Sequence, residues 1–285
     1  MVKNMKILYE LKKKIKANDT LSNILRYLYV PVVLIKKNSF DREAQKRGKG
    51  IADQRYDSLK QYKGIHEGKR CFVVATGPSL TIEDIELLRN EYTFSMNSIY
   101  VSYEKTTWRP TYYVIQDPFV YEKICENIDE KDYEALFIGS SITEKFEVKK
   151  TENKNIFPLD LLYQQIPRKK YHTKFSDDIF SRVYSGYNVA YSALQIAVYM
   201  GFTEIYLLGA DCNYLQDKKY FAEDKNRGKE KYFTKKFYAA NTDKFILAYE
   251  VAKEYADKNN IKIYNATRGG LLEVYPRVEL EEVLK

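Results

Sequence analysis

Two aspartates stand where an α/β protein places reactive groups. Asp117 closes the apolar run Thr111 to Ile115 through Gln116-Asp117-Pro118, and Asp211 closes Glu204 to Leu208 through Gly209-Ala210-Asp211. A carboxylate at a strand end can act as a general base or hold a divalent ion, and it can equally cap the next helix or brace its own turn. The chain has two histidines. His66, in Gly64-Ile65-His66-Glu67-Gly68, reads as a surface residue, and His172 sits in the polar run Arg168 to Asp178. Tyr187, Tyr214, Tyr220 and Tyr238 bring phenols that can donate to a leaving phosphate without adding charge. With 27 tyrosines in the chain, chance also puts some of them near any site. The sequence lacks G-x-S-x-G, a G-x-x-x-x-G-K-[ST] loop, H-E-x-x-H and C-x-x-C. Those absences argue against a serine-hydrolase elbow, a P-loop ATPase and a zinc site.

The element best suited to position such groups is Cys71 to Ala75 followed by Thr76-Gly77-Pro78-Ser79. The run is short and apolar on both faces, as a buried parallel strand requires. Gly77 permits a tight turn and close approach of a ligand to the backbone, and Pro78 fixes its own φ. Ser79 or Thr81 can cap the helix predicted over Ile82 to Asn90. Strand, glycine turn and helix start is a common phosphate-binding arrangement, although one glycine is a weaker signal than G-x-G-x-x-G.

The same alternation continues. Strands are predicted at Tyr92 to Met96, Thr111 to Ile115, Ala135 to Ile138, Glu204 to Leu208 and Ile261 to Tyr264. Helices are predicted at Val189 to Met200 and Asn241 to Asn259. This pattern predicts an α/β fold, a single Rossmann-like domain with a mostly parallel sheet over residues 61–285. Polar residues follow most of the strands: Thr76, Ser79, Asn97, Gln116, Asp117, Ser140, Asp211, Asn213, Asn265 and Thr267, joined by Ser185 at a helix start. Ligands of open α/β sheets bind at that edge. The polar stretch 215–236 reads as a lid.

Residues 1–60 form a distinct arm. Met5 to Ile15 is lysine-rich and amphipathic, and Leu21 to Ile35 is apolar but interrupted by Arg26 and Pro31, too short to span a bilayer. The arm can lie on an anionic membrane surface or pack on the domain or a second subunit. Asn38 to Lys60 reads as a linker-like helix. A net charge of +8 suits an anionic partner. Nothing beyond that charge suggests nucleic acid. Three separated cysteines fit a reduced cytoplasmic protein.

Gly77-Pro78-Ser79-Leu80, Asn97, Tyr184-Ser185-Gly186, and Met200 through Gly209-Ala210-Asp211 together resemble two related groups. One is the bacterial sialyltransferases of glycosyltransferase family 42. The other is the MptE-like group (6-hydroxymethylpterin diphosphokinase-like), which includes motility accessory factors that glycosylate flagellin and whose ending resembles Asn265-Ala266-Thr267-Arg268-Gly269-Gly270. The resemblance covers roughly residues 64 to 275.

It implies a sialyltransferase-like fold using a CMP-activated sugar without a metal. Thr76, Gly77, Pro78, Ser79, Asn97 and Gln116 would then contact the nucleotide. Ser185, Gly186, Tyr187 and Asn188 would line the donor pocket, with Tyr214 and Tyr220 on the leaving phosphate. Where the sialyltransferases carry a histidine before an Asn-Thr-Asp-like helix start, this chain has Tyr238 before Asn241-Thr242-Asp243. The general base is therefore open among Asp117, Asp211, Tyr238 and His172, with a slight preference for Asp117.

The leading expectation is a glycosyltransferase at the cytoplasmic face of the membrane. It would take a nucleotide-sugar donor and a glycan or lipid-linked acceptor in surface-polysaccharide or glycoconjugate assembly, with homo-oligomerisation left open. The alternatives are an ATP- and magnesium-dependent diphosphotransferase acting on a pterin, and a nucleotide-binding scaffold without catalysis.

Overall fold

The computed structural model describes residues 19–51, 54–149, 151–166, 172–213, 221 and 241–285. In chain order, helix α1 (Asp19–Gly48) precedes strand β1 (Arg70–Val74), helix α2 (Ile82–Leu87), β2 (Thr93–Met96) and β3 (Tyr112–Ile115). Then come α3 (Pro118–Ile124), β4 (Ala135–Gly139), α4 (Ser140–Thr143), β5 (Lys154–Phe157), β6 (Leu159–Asp160) and β7 (Val183–Tyr184). The chain finishes with α5 (Val189–Tyr199), β8 (Glu204–Leu208), α6 (Thr242–Lys258), β9 (Lys262–Asn265) and α7 (Leu280–Val283).

Seven strands form one sheet in the order β5-β4-β3-β2-β1-β8-β9, and every neighbouring pair is parallel. In β1, Cys71 and Val73 face one core while Phe72 and Val74 face the other. A strand covered on both sides must be apolar at consecutive positions, which is why this run lacks the alternation of a half-exposed strand. One face is covered by α5 and α6, with Ala193, Leu194, Ala197, Ala248 and Ala252 buried. The other is covered by Ile85 of α2, Ile99, Ile124 of α3 and Leu280 of α7. The parallel α/β architecture expected from the sequence is the one observed.

The region before the sheet differs from the sequence reading. Asn38 to Lys60 is not one linker-like helix. α1 ends at Gly48, and a 3-10 helix over Gln54–Tyr62 buries Tyr56 and Leu59 in the domain core. α1 docks on the domain through buried Val33, Ala44 and Arg47. Arg182 donates to Asp41 at 2.5 Å and to the Tyr184 hydroxyl at 2.9 Å, while Arg47 donates to the Ser181 carbonyl at 2.9 and 3.1 Å. No helix among the described residues is long and apolar enough to cross a membrane.

His66 is not on the surface. It is 6% exposed, stacks on Phe202 at 4.6 Å and contacts Tyr92, and its Nε2 lies 2.6 Å from the Tyr112 hydroxyl. Burial, helped by the nearby Lys69 charge, pushes its pKa down to about 4. It lies at the amino end of the sheet, away from the candidate site.

Candidate functional site

From β1 the chain builds outward through β2 to β5, then returns to add β8 and β9 on the other side of β1. The carboxyl ends of β1 and β8 thus form the switch point where open parallel sheets bind ligands. Along this edge stand Gln116 after β3, Asn97 after β2, Thr76 to Ser79 after β1 and Asp211 after β8. Three strand spacings of about 4.8 Å make this a row of roughly 14 Å.

Its centre is a latch between two strand ends. Ala75 N–H donates to the Leu208 carbonyl at 2.8 Å, and Gly77 N–H to the Gly209 carbonyl at 2.9 Å. Asp211 Oδ2 accepts from Ser79 Oγ at 2.8 Å and from Ser79 N–H at 3.4 Å. A Cβ on residue 77 would lie 2.0 Å from Asp211 Oδ2 and 2.4 Å from the Gly209 oxygen. Gly77 is therefore required by the protein's own packing. Asp211 is itself held from behind, since Leu271 N–H donates to its carbonyl at 2.7 Å. Beside it, burial and then the Asp211 charge push the Cys212 thiol up to about 12, so it stays a thiol.

The start of α2 is closed by protein groups. Thr81, rather than Ser79, caps the helix by accepting from Asp84 N–H, and Asp84 accepts from Thr81 N–H at 2.8 Å. Arg268, arriving from the turn after β9, donates to both Asp84 oxygens at 2.5 and 2.7 Å and to the Ser79 carbonyl at 3.3 Å. A six-residue helix whose first turn carries Glu83 and Asp84 presents a weak dipole behind two carboxylates. The phosphate-cradle reading of this turn therefore does not hold for the helix end. Arg268 was missed as a site residue; its partner Asp84 lies 184 residues away in sequence.

Asp117 is the N-cap of α3, accepting from Phe119 N–H at 2.7 Å and Val120 N–H at 3.2 Å. Of the roles the sequence leaves open to it, the structure displays the capping one. Gln116 is a bridge: its Oε1 accepts from Ser192 Oγ of α5 at 2.6 Å, and its carbonyl accepts from Ser141 Oγ at 2.5 Å. Asn97 takes a left-handed φ of 50°, and its carbonyl accepts from the Tyr113 hydroxyl. Phe221 N–H donates to the Thr76 carbonyl at 2.9 Å, so the chain returns over the β1 turn.

The Ser192–Gln116 bond sets the first turn of α5 over the end of β3 and brings residues 185–188 to the same edge. Gly186, at φ +51°, has the Tyr191 ring where a side chain would be, 2.1 Å from a built Cβ. Asn188 caps α5 through Tyr191 N–H at 2.8 Å, and its Oδ1 also accepts from the Tyr249 hydroxyl at 3.2 Å. Tyr187, at φ 66°, has its hydroxyl 3.2 Å from His172 Nδ1. Sequence reading singled out both residues but not their pairing.

Thr76 and Ser185 are 8% and 4% exposed. Among the described residues their hydroxyls, and the side-chain amide of half-buried Asn97, take no hydrogen-bond partner. None of these atoms is among the fully buried ones left without a partner, so they open to solvent at the sheet edge, where a ligand or water can meet them. Tyr214, Tyr220, Tyr238 and, apart from Phe221, the 215–236 stretch lie outside the described residues. Among the described residues no group of three or more His, Cys, Asp or Glu side chains could hold a metal ion.

A parallel α/β domain with its polar groups gathered at the switch point is a ligand-binding architecture. The family model described as 6-hydroxymethylpterin diphosphokinase MptE-like matches residues 46–217, and the chain belongs to that family. No curated protein matches the sequence. Solved structures similar to this chain include two proteins. One is the MAf glycosyltransferase from Magnetospirillum magneticum AMB-1, at 14% identity and a TM-score of 0.45, with 79% of this chain and 38% of that chain covered. This chain therefore spans well under half the length of that protein. The other is the sialyltransferase CstII from Campylobacter jejuni in complex with cytidine-5'-monophosphate, at 18% identity and a TM-score of 0.45, covering 74% of this chain and 85% of that one.

Proposed function

We propose that the chain transfers a sugar, sialic-acid-like, from a CMP-activated donor to a glycan or lipid-linked acceptor in surface-polysaccharide or glycoconjugate assembly. The observation that carries this reading is the unmatched set of Thr76, Ser185 and Asn97 along the carboxyl edge. Uncharged hydroxyl and amide groups suit the hydroxyl-rich ribose and sugar of such a donor. The CMP-linked donor class follows the likeness of Gly77-Pro78-Ser79, Asn97 and Ser185-Gly186 to the sialyltransferase motifs.

His172 is the base in this reading. An imidazole is the side chain suited to taking up a proton near neutrality, which a phenol is not. If Nδ1–H donates to the Tyr187 oxygen, the basic lone pair lies on Nε2. The acceptor hydroxyl loses its proton to Nε2 as its oxygen attacks the anomeric carbon, and the bond to the phosphate breaks on the opposite side, releasing CMP with inversion. Asp211 holds the two strand ends in register rather than taking the proton, and Asp117 holds the α3 turn.

The second reading is diphosphoryl transfer from ATP to a pterin, favoured by the description of the matching family. It needs magnesium, with Asp117 or Asp211 as ligand. A cation there would compete with hydrogen bonds that Asp117 Oδ1 and Asp211 Oδ2 already accept. Thermal unfolding separates the readings. Stabilisation by CMP alone supports the first, and stabilisation by ATP only with magnesium, or by a pterin, supports the second.

A further inference from the structure

The first half of α1 carries an apolar stripe that its own domain does not cover. Ile24, Leu28, Val32 and Ile35 are 52, 70, 42 and 68% exposed, and Tyr27 beside them is 56% exposed. At about 100° per residue these four positions share one side of the helix, over about 17 Å of its length. Val33, Lys37, Ala44 and Arg47, which contact the domain, lie on the opposite side. The helix thus has two working faces. The outward one continues past Ile35 into exposed Arg42 and Lys46, the latter ion-paired with Glu43 at 2.9 Å.

Charge identifies what the stripe meets. Residues 1–18, which lead into the helix, hold Lys3, Lys6, Lys12, Lys13, Lys14 and Lys16 against a single acid, Glu10. A second copy of the chain would bring the same positive charge to the contact and be repelled. An anionic lipid surface offers apolar depth for the stripe and negative headgroups for the lysines and Arg42. Since no described helix can cross a bilayer, the helix would lie along the surface. We propose that the outward face of α1, with Arg42 at its basic end, is the site by which this protein binds an anionic membrane.

The test uses the full chain and flotation with vesicles of phosphatidylcholine alone or with about a third phosphatidylserine. The parent should float with the anionic vesicles only, and less so in high salt. Leu28→Asp with Ile35→Asp should weaken that binding by roughly tenfold or more with unchanged thermal unfolding, while Leu28→Met with Ile35→Leu should retain it. Lys12, Lys13 and Lys14 changed together to Gln should weaken binding less, and flatten its salt dependence.

Equal flotation with neutral vesicles, or parental binding by the double aspartate variant, would overturn the proposal. So would a parent that sediments as a dimer and a double aspartate variant that sediments as a monomer. If the double aspartate variant loses folded stability, the face is covered by the protein's own chain and the proposal also fails.

Discussion

Asp211 Oδ2 occupies the volume that a side chain on Gly77 would need, 2.0 Å from where its Cβ would stand. The two strand ends on either side of the switch point are thereby packed in direct contact. Gly77→Ala should lower unfolding free energy by roughly 2–4 kcal/mol in a urea titration. Removing the carboxylate as well, with Asp211→Gly, should restore only part of this, because the Gly209 oxygen remains 2.4 Å away. Parental stability in Gly77→Ala would mean that the turn opens without strain.

Arg182 joins α1 to the small β6-β7 sheet, and Asp160 is the residue that depends on it. Asp160 is 2% exposed, its Oδ2 lies 3.4 Å from the Arg182 guanidinium, and burial holds its carboxyl above the usual range despite that charge. Arg182→Leu should cost about 3–5 kcal/mol by leaving a buried carboxylate without its cation. Adding Asp160→Asn should recover part of the loss. Equal stability of the single and double variants would show that the pair is not coupled.

His66 should make stability fall in acid. Its pKa is about 4 when folded and about 6.5 when unfolded. Between those values the unfolded chain binds the extra proton, so unfolding free energy rises with pH through that window. The contribution is complete above about 6.5 and is lost as pH falls towards 4, by roughly 3 kcal/mol. Denaturant midpoints from pH 4 to 7 should show a shallower slope for His66→Gln than for the parent.

His172→Asn, assayed at saturating donor, should reduce kcat by 100-fold or more with KM little changed. Tyr187→Phe should retain most turnover but shift the acidic limb of the pH profile, because the phenol 3.2 Å from Nδ1 orients the ring. Asp117→Ala should lose about 1 kcal/mol of stability as a missing N-cap and leave turnover near parental. Full activity in His172→Asn with an inactive Asp117→Asn would return the base to the aspartate.

Six of the seven sheet strands are legible in the sequence because each is a short apolar run ended by a polar turn. β5 is not, since it is an edge strand whose Lys154 and Ile156 are only partly buried. β6 and β7 are two residues each, below what any periodicity can signal. The carboxyl-edge residues were found because they follow the strands directly. Their pairings were not, because Asp84 with Arg268, and Gly77 with Asp211, meet only through the crossovers of the sheet. His66 was misread for the same reason. Its neighbours Tyr92, Tyr112 and Phe202 come from three distant parts of the chain, and between two glycines it looked like a loop residue.

The central pairing of the sheet carries a consequence for biosynthesis. β1 hydrogen-bonds along one side to β2, which follows within a few dozen residues, but along the other to β8, and Ser79 waits for an Asp211 that is 132 residues further on. On a ribosome adding residues one at a time, β1 to β5 can assemble while one flank of β1 still has open N–H and C=O groups. That flank is the middle of the finished sheet and, past Arg70 at its start, carries none of the charges or prolines that guard a permanent edge. Until β8 arrives, a stalled or truncated chain presents a flat apolar strand ready to accept another chain's backbone. Fragments ending before residue 204 should therefore aggregate, whereas those reaching past β9 should not.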